Sequence, residues 1–595
     1  MKLRAAVVTM SLAALCGFLA ASAVNLSAPF PTAEVWRGSE EAFALGLHER
    51  ELPPRAMPIR WTRRRTLFRF RHLPSGPLTL HVRIKGHREP VLVGADGVVV
   101  ATLRPGLNSA DVPLPACGAG ASLDVVMRTD GFVPEDGRHL GAQLDAVSIS
   151  HARSFLPDAS LLLAFIVPAV LCCLGALLSG FGALPTLALA GGLSSVQGLV
   201  VTPCGVVRSP YTWQLAWTLF AGVGLIMTLS RAFVRWRPRT ARASFATLLI
   251  VFIVQGVLAT SPLLVVTDVN FQAHMLHNVA YEGDIFPTSV TQHAIPFRIP
   301  YGISFFAVLA PFARAGYDLV AAVRWGAAAA GILASWGLFA ALARGAAPLA
   351  ALTVIILQFM PGTFVPFAQG NLSNVFGQAM TTLFFAWWIA WRERSPWSAA
   401  LGAVFFVLAA LAHLSSLIVI LTLVAFLLLM TRDTQRARRR TLMALLIGMV
   451  IVVAYYAPFV RLVIGQLPRI LESGGGTETP LAQRLYYQLH GMFWEWWSTP
   501  ALALAWFGRP RNRNESLGAG LIGYWLTGAV LLLVAVTTPL EVRFLYALTV
   551  AVALCAARGS MALWGRARFG RVVSGLLVAG HLALGIVFLG DRLLL

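Results

Sequence analysis

From residue 158 to the end of the chain, apolar runs of about 20 residues follow one another, separated by short loops rich in arginine. A helix rises about 1.5 Å per residue, so about 20 residues cross the roughly 30 Å of hydrocarbon in a bilayer. No water is present in that layer to satisfy backbone polar groups, and a helix satisfies its own. The pattern therefore commits the chain to a polytopic α-helical membrane fold. Composition agrees: 12% of the 595 residues are charged, against about 25% in soluble chains, and mean hydropathy is +0.71.

The runs fall near 159–180, 184–203, 212–230, 244–266, 301–318, 320–343, 347–363, 372–391, 398–413, 414–430, 442–463, 494–507, 516–536, 541–557 and 571–589. With a first segment at 1–24 that makes sixteen, of which some are short or interrupted, so the sequence predicts about 13 to 15 transmembrane or re-entrant helices. The net charge of +21 would suit a nucleic-acid binder, but it concentrates in short loops: 231–242, 391–394, 431–440, 509–513 and 565–571. Basic short loops mark the cytoplasmic side of a membrane protein, with contact to anionic lipids as a second role. Membrane lipids are thus expected partners, and nucleic acid is not. The same rule places 267–300 and 464–497 outside. Counting sides requires that one run does not cross, and 301–318, short and carrying Pro311 and Arg314, is the candidate. The six cysteines show neither metal-ligand spacing nor a disulfide framework.

Residues 1–24 have a basic start and an apolar run followed by small residues. They read as a cleaved signal or a transmembrane anchor, and the length of the run favours the anchor. Residues 25–157 contain no spanning run. Alternating segments such as "TLFRFRHL" (66–73), "LTLHVRIKG" (78–86) and "SLDVVMRT" (122–129) have the period of half-buried strands. They predict an all-β sandwich or jelly-roll domain on the periplasmic face, followed by the polytopic domain 158–595.

The stretch "TDVNFQAHMLHNVAYEGDIFP" (267–287) directly follows an apolar run and is half polar. A helix starting at Asp268 puts Asn270, His274, His277 and Tyr281 on one face and Phe271, Met275 and Val279 on another, so it lies in the interface rather than crossing it. Gly283 and Pro287 can end it. Asp268 then stands at the mouth of a spanning helix, where it is either an N-cap accepting backbone N–H bonds or a working carboxylate. Glu282 and Asp284 form a weak candidate pair for a divalent cation, Mg or Mn. His413 is an ionisable residue inside an apolar run, which is costly and so suspect. Asn371 and Gln369 read as an ordinary helix start or as groups that orient a ligand. The loop 464–497 combines "SGGGTETP" with a Tyr/Trp cluster, as a mobile cover with interfacial aromatics would.

A spanning helix, an external Asp just past its end, an amphipathic external stretch and then "IPYGISFFAVLAPF" (299–312) resembles the GT-C superfamily of polytopic glycosyltransferases. "AQGNLSNVFGQ" (368–378), "LAHLSSL" (411–417) and "EVRFLYALTVAVALCAA" (541–557) also have counterparts there, and the likeness covers roughly 244–557. It is a pattern of placement without an invariant string. "TDGFVPEDGRHLGAQLDAVSI" (129–149) is similar to the closing strands of jelly-roll domains on bacterial membrane glycosyltransferases, with Asp136 and Arg138 as sugar-binding or turn-stabilising residues. The resemblance implies an inverting transferase in a bacterial inner membrane. It would move a sugar from a polyprenyl-phosphate donor to a periplasmic glycan, lipid or protein. It further implies Asp268 as base or metal ligand and Arg543 on the lipid phosphate. Read from the residues themselves, His413, His274 and Asn371 are further candidates for binding substrate or phosphate, and His274 and His277 are also candidate metal ligands. Arg461, Arg469 and Arg298 are weaker phosphate candidates. Two rivals stand beside it: a transporter or flippase of lipid-linked sugars, and a glycan-binding scaffold whose helices only anchor it.

Overall fold

The computed structural model describes residues 2–594 except 36–39, 49–59, 119, 135–137, 152–155, 235–237, 265, 291–297, 395–396, 431–433, 467, 469–479, 494, 511–515, 538–545 and 567. The chain divides into two compact units. One comprises Met1–Leu249, Thr260–Val265 and Arg592–Leu595, and the other Ile250–Ala259 and Val266–Asp591.

The first unit holds nine strands: β1 (Thr32–Glu34), β2 (Ala44–Leu47), β3 (Arg60–Leu73), β4 (Gly76–Lys85), β5 (Val91–Ala95), β6 (Val98–Leu103), β7 (Ser109–Cys117), β8 (Ala121–Arg128) and β9 (Gln143–His151). All their pairings are antiparallel. The strands form one continuous sheet in the order β6-β5-β8-β3-β9-β4-β7, with β1 on β9 and β2 on β3, so that β1-β9-β4-β7 and β3-β8-β5-β6 are two halves joined where β3 meets β9. This is the interleaved order of an eight-stranded jelly roll, as the alternation in sequence predicts. The period of two decides what is inside: Phe68 and Phe70 of β3, Leu80 and Val82 of β4, and Val125 and Met127 of β8 are all buried.

Helices α1 (Lys2–Ser27), α2 (Ala159–Leu178), α3 (Ala183–Val201) and α4 (Tyr211–Val234) belong to the same unit. α1 lies so close to α2 that a Cβ on Gly17 would stand 2.9 Å from the Ile166 Cα. Asp158 caps α2, accepting from the N–H groups of Ser160 and Leu161 at 2.9 and 3.1 Å. Its other oxygen lies 3.3 Å from His72 Nδ1 at the end of β3. Arg208, 1% exposed, donates to the His72 carbonyl and to Asn25 Oδ1 at 2.6 Å. One buried polar cluster thus ties a strand of the jelly roll to three points on the helices. It contains Ser160, His72 and Asp158, but it is no nucleophilic triad. Ser160 Oγ and Asp158 both approach Nδ1, while Nε2 is buried without a partner among the described residues.

In the second unit the helices are α5 (Pro238–Thr260, whose residues 250–259 belong here), α6 (Val269–His277), α7 (Ser304–Arg314), α8 (Leu319–Leu342), α9 (Ala347–Gln358), α10 (Pro361–Ala368), α11 (Leu372–Ala390), α12 (Ser398–Ala410), α13 (Leu414–Met430), α14 (Gln435–Tyr456), α15 (Leu481–Phe493), α16 (Thr499–Phe507), α17 (Ser516–Thr537), α18 (Thr549–Trp564) and α19 (Arg568–Leu594). Among the described residues of the whole chain, 11 helices are long and apolar enough to cross a membrane. The protein is a multi-pass membrane protein. The run 301–318 forms only the 11-residue α7, about 16 Å long, too short to cross, as the counting of sides requires. The run 494–507, only 14 residues long in the sequence, contains the nine-residue α16, also too short, and the 11 helices of spanning length are fewer than the 13 to 15 expected. The basic stretch 431–440, read as a loop, is helical from Gln435, because Thr434 caps α14 through the Ala437 N–H at 3.1 Å.

Candidate active site around Asp268

Thr267 and Asp268 are held in place by the turn that joins α10 to α11. The Thr267 N–H donates to the Ala368 carbonyl at 3.2 Å, and its hydroxyl donates to the Gln369 carbonyl at 2.9 Å. Gly370 then passes over Asp268 with φ +72°. A Cβ there would stand 2.7 Å from the Asp268 Cα and closer still to its nitrogen. Only glycine takes this φ readily and lets two backbones meet at that distance.

Asp268 occupies the N-cap position of α6 yet does not act as a cap. Its φ and ψ are −100° and 18°, and its side chain accepts no capping bond. The contrast with Asp158 gives the reason: with ψ 161° that residue is extended, and its carboxylate turns back onto the first N–H groups of its helix. At ψ 18° the Asp268 side chain points elsewhere. It is exposed and carries no hydrogen bond or ion pair among the described residues. Of the two roles open in the sequence, capping is not the one adopted.

Beside it, α6 buries a polar wall. Gln272 is 2% exposed and one turn along from Asp268. Its Nε2 donates to the Tyr301 hydroxyl at 3.1 Å, which in turn meets Ser373 Oγ at 3.1 Å. The Gln272 Oε1 is buried without a partner among the described residues, an acceptor that a ligand hydroxyl or water would satisfy. The Tyr301 backbone is clamped from both sides: its N–H donates to the Pro287 carbonyl at 2.9 Å, and its carbonyl accepts from the Tyr455 hydroxyl at 2.7 Å. His413 stands edge-on to the Tyr301 ring, with centroids 5.6 Å apart. It sits at the break between α12 and α13, where its Nδ1 accepts from the Ser415 N–H at 3.2 Å. Ser415 and Ser416 hydroxyls both reach Asn374 Oδ1, at 3.1 and 3.2 Å.

No protein-family model and no curated protein matches the chain. What the site can do therefore rests on its own geometry.

The structure gathers some of the residues singled out in the sequence and separates others. Asn371, adjacent to Gly370, is 8% exposed and starts α11 without a side-chain capping bond. Its amide donates to Gln369 Oε1 at 3.4 Å. His413 joins the wall through Tyr301. His274 stands on the exposed face of α6, 3.5 Å from the Asn278 amide. Phe271 is partly exposed, and the buried stripe is carried by Gln272, Met275 and Val279 instead. α6 runs on into a turn of π-helix, Asn278–Glu282, and Gly283 ends it in the left-handed conformation at φ 72°, as expected. Glu282 pairs with His277 at 4.0 Å, while Asp284 accepts from the Phe286 N–H at 3.1 Å. Their carboxylates are engaged separately. Among the described residues no group of three or more His, Cys, Asp or Glu is placed to hold a metal ion.

Arg543, Arg469 and Asp136 lie outside the described residues, as does the Gly-rich part of the 464–497 loop. Arg461 is exposed. Arg298 enters the structure through its backbone, whose N–H donates to Gln466 Oε1 at 2.7 Å. Gln272, Tyr301, Ser373 and Gly370 escaped the sequence reading. A polar residue at i+4 from Asp268 was the available signal for Gln272.

Proposed function

We propose that this chain is an inverting glycosyltransferase of GT-C type. It would take a sugar from a polyprenyl-phosphate donor and place it on an acceptor hydroxyl of a glycan, lipid or protein. In this reading the membrane is a bacterial inner membrane, with the jelly roll and Asp268 on its periplasmic face. The observation that carries the reading is Asp268 itself: an exposed carboxylate with no bond among the described residues, fixed through its backbone at the mouth of a membrane helix.

The chemistry asks for such a group. The acceptor oxygen attacks the anomeric carbon opposite the phosphate, Asp268 takes the hydroxyl proton, and the carbon–oxygen bond to phosphate breaks with its electron pair leaving on the lipid phosphate. A carboxylate already bonded as a cap would be a poorer acceptor for that proton. In this reading Asn371 orients a hydroxyl, and His413 acts as a positioning residue through Tyr301. Arg543 is the proposed partner of the leaving phosphate, since the guanidinium fork pairs with two phosphate oxygens. No step is routed through a metal.

The test is a transfer assay on the purified chain in nanodiscs, with a radiolabelled polyprenyl-phosphate sugar and a cell-envelope acceptor fraction. Donor-dependent transfer that Asp268→Asn abolishes is the expected result. Transfer that survives this substitution would remove Asp268 from the mechanism. A donor moved across the bilayer with its sugar still attached would favour a flippase.

A further inference from the structure

Two neighbouring strands of the jelly roll carry matching positions with opposite electrostatics. On β3 and β8, Arg69 stands directly across from Asp124, while Arg65 stands directly across from Arg128. The first pair is an ion pair at 3.7 Å, and Arg71 joins the same carboxylate at 2.8 Å. The second pair sets two cations side by side, an arrangement that destabilises a sheet. Arg63 and Arg64 precede Arg65 where β3 passes from β9 to β8. All four arginines are exposed.

Among the described residues no carboxylate offsets this charge. Glu41 is engaged by Arg60 at 2.9 Å. Asp130, two residues past Arg128, is exposed and pairs with none of the four. Arg64 is held by a ring nitrogen rather than an acid, donating from Nε to His139 Nε2 at 2.9 Å.

The position of the patch narrows what can neutralise it. His72, near the other end of β3, meets Asp158 where the spanning helix α2 begins. Arg65 lies seven residues back along β3, and Arg128 lies seven residues along β8 from Ala121, which pairs with Leu73. At about 3.3 Å per residue, both stand about 23 Å from the membrane end of the sheet. That is about two Debye lengths at 0.1 M salt, so lipid headgroups do not reach the patch. Its partner comes from the aqueous side and carries several anionic groups.

The surroundings narrow the partner further. Trp61 meets Phe132 edge-on, with ring centroids 5.5 Å apart. Phe132 pairs through its backbone with Leu140, the neighbour of the His139 that holds Arg64. Arg88 lies over the Phe132 ring at 4.5 Å and adds a further cation. Guanidinium forks take carboxylates in two places. Apolar ring surface beside them suits a chain of sugars bearing carboxylates, whereas an inorganic polyanion has no apolar face to offer.

We infer that the membrane-distal end of the jelly roll, at Arg63, Arg64, Arg65 and Arg128, binds an acidic polysaccharide. The choice of a glycan over a nucleic acid rests on the proposed function, which puts this domain outside the cytoplasm. The anionic character of the partner does not.

The test uses the full chain in nanodiscs of zwitterionic lipid and three fluorescently labelled hexamers: a hexauronate, a neutral hexaglucan and a DNA strand. The hexauronate is expected to bind saturably and to lose at least about fivefold in affinity between about 50 and 300 mM salt. The neutral hexamer should not bind. Arg65→Gln with Arg128→Gln should weaken hexauronate binding at least about tenfold. Tm should hold or rise in that variant, because the like-charge pair is gone. Arg71→Gln removes an arginine already paired with Asp124, so it should lower Tm and keep binding. Asp268→Asn should keep full binding while losing transfer, so the two readings fail separately. No saturable hexauronate binding, equal binding of the neutral hexamer, or full binding in the doubly substituted protein would each overturn the inference. Binding of the DNA strand as tight as that of the hexauronate would overturn it too.

Discussion

Gly370 lies so close to Asp268 that a Cβ on the glycine would stand 2.7 Å from the aspartate Cα. The turn at φ +72° and the start of α6 therefore fit only as a pair. Gly370→Ala must either strain the turn or lift it from Asp268, and it does so without touching the carboxylate. Strain of this kind is worth about 1–3 kcal/mol, and a displacement of about 1 Å at a reacting group can lower a rate about 100-fold. The expected outcome is a loss of transfer of about that size at the same acceptor KM, with Tm lowered by a few degrees. Unchanged transfer in a folded Gly370→Ala protein would show that the backbone contact does not set the carboxylate.

Asp268 and Asp158 stand at equivalent places on their helices, yet their substitutions should behave oppositely. The Asp158 carboxylate caps its helix, whereas the Asp268 carboxylate carries no bond among the described residues. Asp268→Asn should leave Tm within about a degree of the parent, since surface changes away from structural bonds stay within about 0.5 kcal/mol. Its transfer rate should drop about 100- to 10,000-fold, the range of a lost general base. Loss of stability in parallel with rate would mean that Asp268 holds structure rather than performs chemistry. Thermal unfolding and single-turnover transfer on the same preparation decide this.

The Gln272–Tyr301–Ser373 chain makes a third prediction, about stability. Tyr301→Phe removes one oxygen and leaves the Gln272 amide and the Ser373 hydroxyl without their partner, both in buried surroundings. Stranding buried polar groups costs about 1–3 kcal/mol. Gln272→Leu in the same background should recover part of that loss, because the stranded amide is gone. A double-mutant cycle by thermal unfolding measures this coupling, expected at 0.5 kcal/mol or more. Additive losses would mean that the three side chains act independently.

The parts of this fold that were legible in the sequence are those that a period or a side-chain type dictates. Alternation in 66–73, 78–86 and 122–129 gave the strands, because buried and exposed positions differ by one residue. Apolar length gave 11 helices of spanning length among the described residues, while five of the sixteen segments, 301–318, 372–391, 398–413, 414–430 and 494–507, are not among them; Gly283 gave the end of α6. The conformation of Asp268 was not legible. The same residue type at a helix start caps in one place and stays free in another, and the difference is a ψ angle set by the turn at Gly370, a hundred residues away in sequence. Gln272 was hidden for a similar reason: its burial follows from Tyr301 and Ser373, which no local pattern connects to it.

The polar cluster of the first unit predicts how stability responds to acid. Burial alone would raise the Asp158 pKa, but the bonds from His72, Ser160 and the Leu161 N–H outweigh it and hold the carboxylate well below its ordinary range. Arg208 beside it is pushed the other way by burial, down to about 10, with Asp158 opposing the shift. For a carboxyl group whose folded pKa lies below its unfolded one, the unfolded chain takes up the proton first as the pH drops. The stabilisation from Asp158 is therefore complete above the ordinary carboxylate value of 3.8, and it is lost as the pH falls from there toward the depressed folded value. Asp158→Asn should cost several degrees of Tm at pH 7, since removing one partner of a buried charged set is worth about 3–5 kcal/mol. The gap between parent and variant should hold from pH 7 to pH 5 and narrow below pH 4. Thermal unfolding of both proteins across that range makes the comparison. A gap that stays constant down to pH 3 would show that the Asp158 charge is not what joins the strand to the helices, and that packing around Arg208 does so instead.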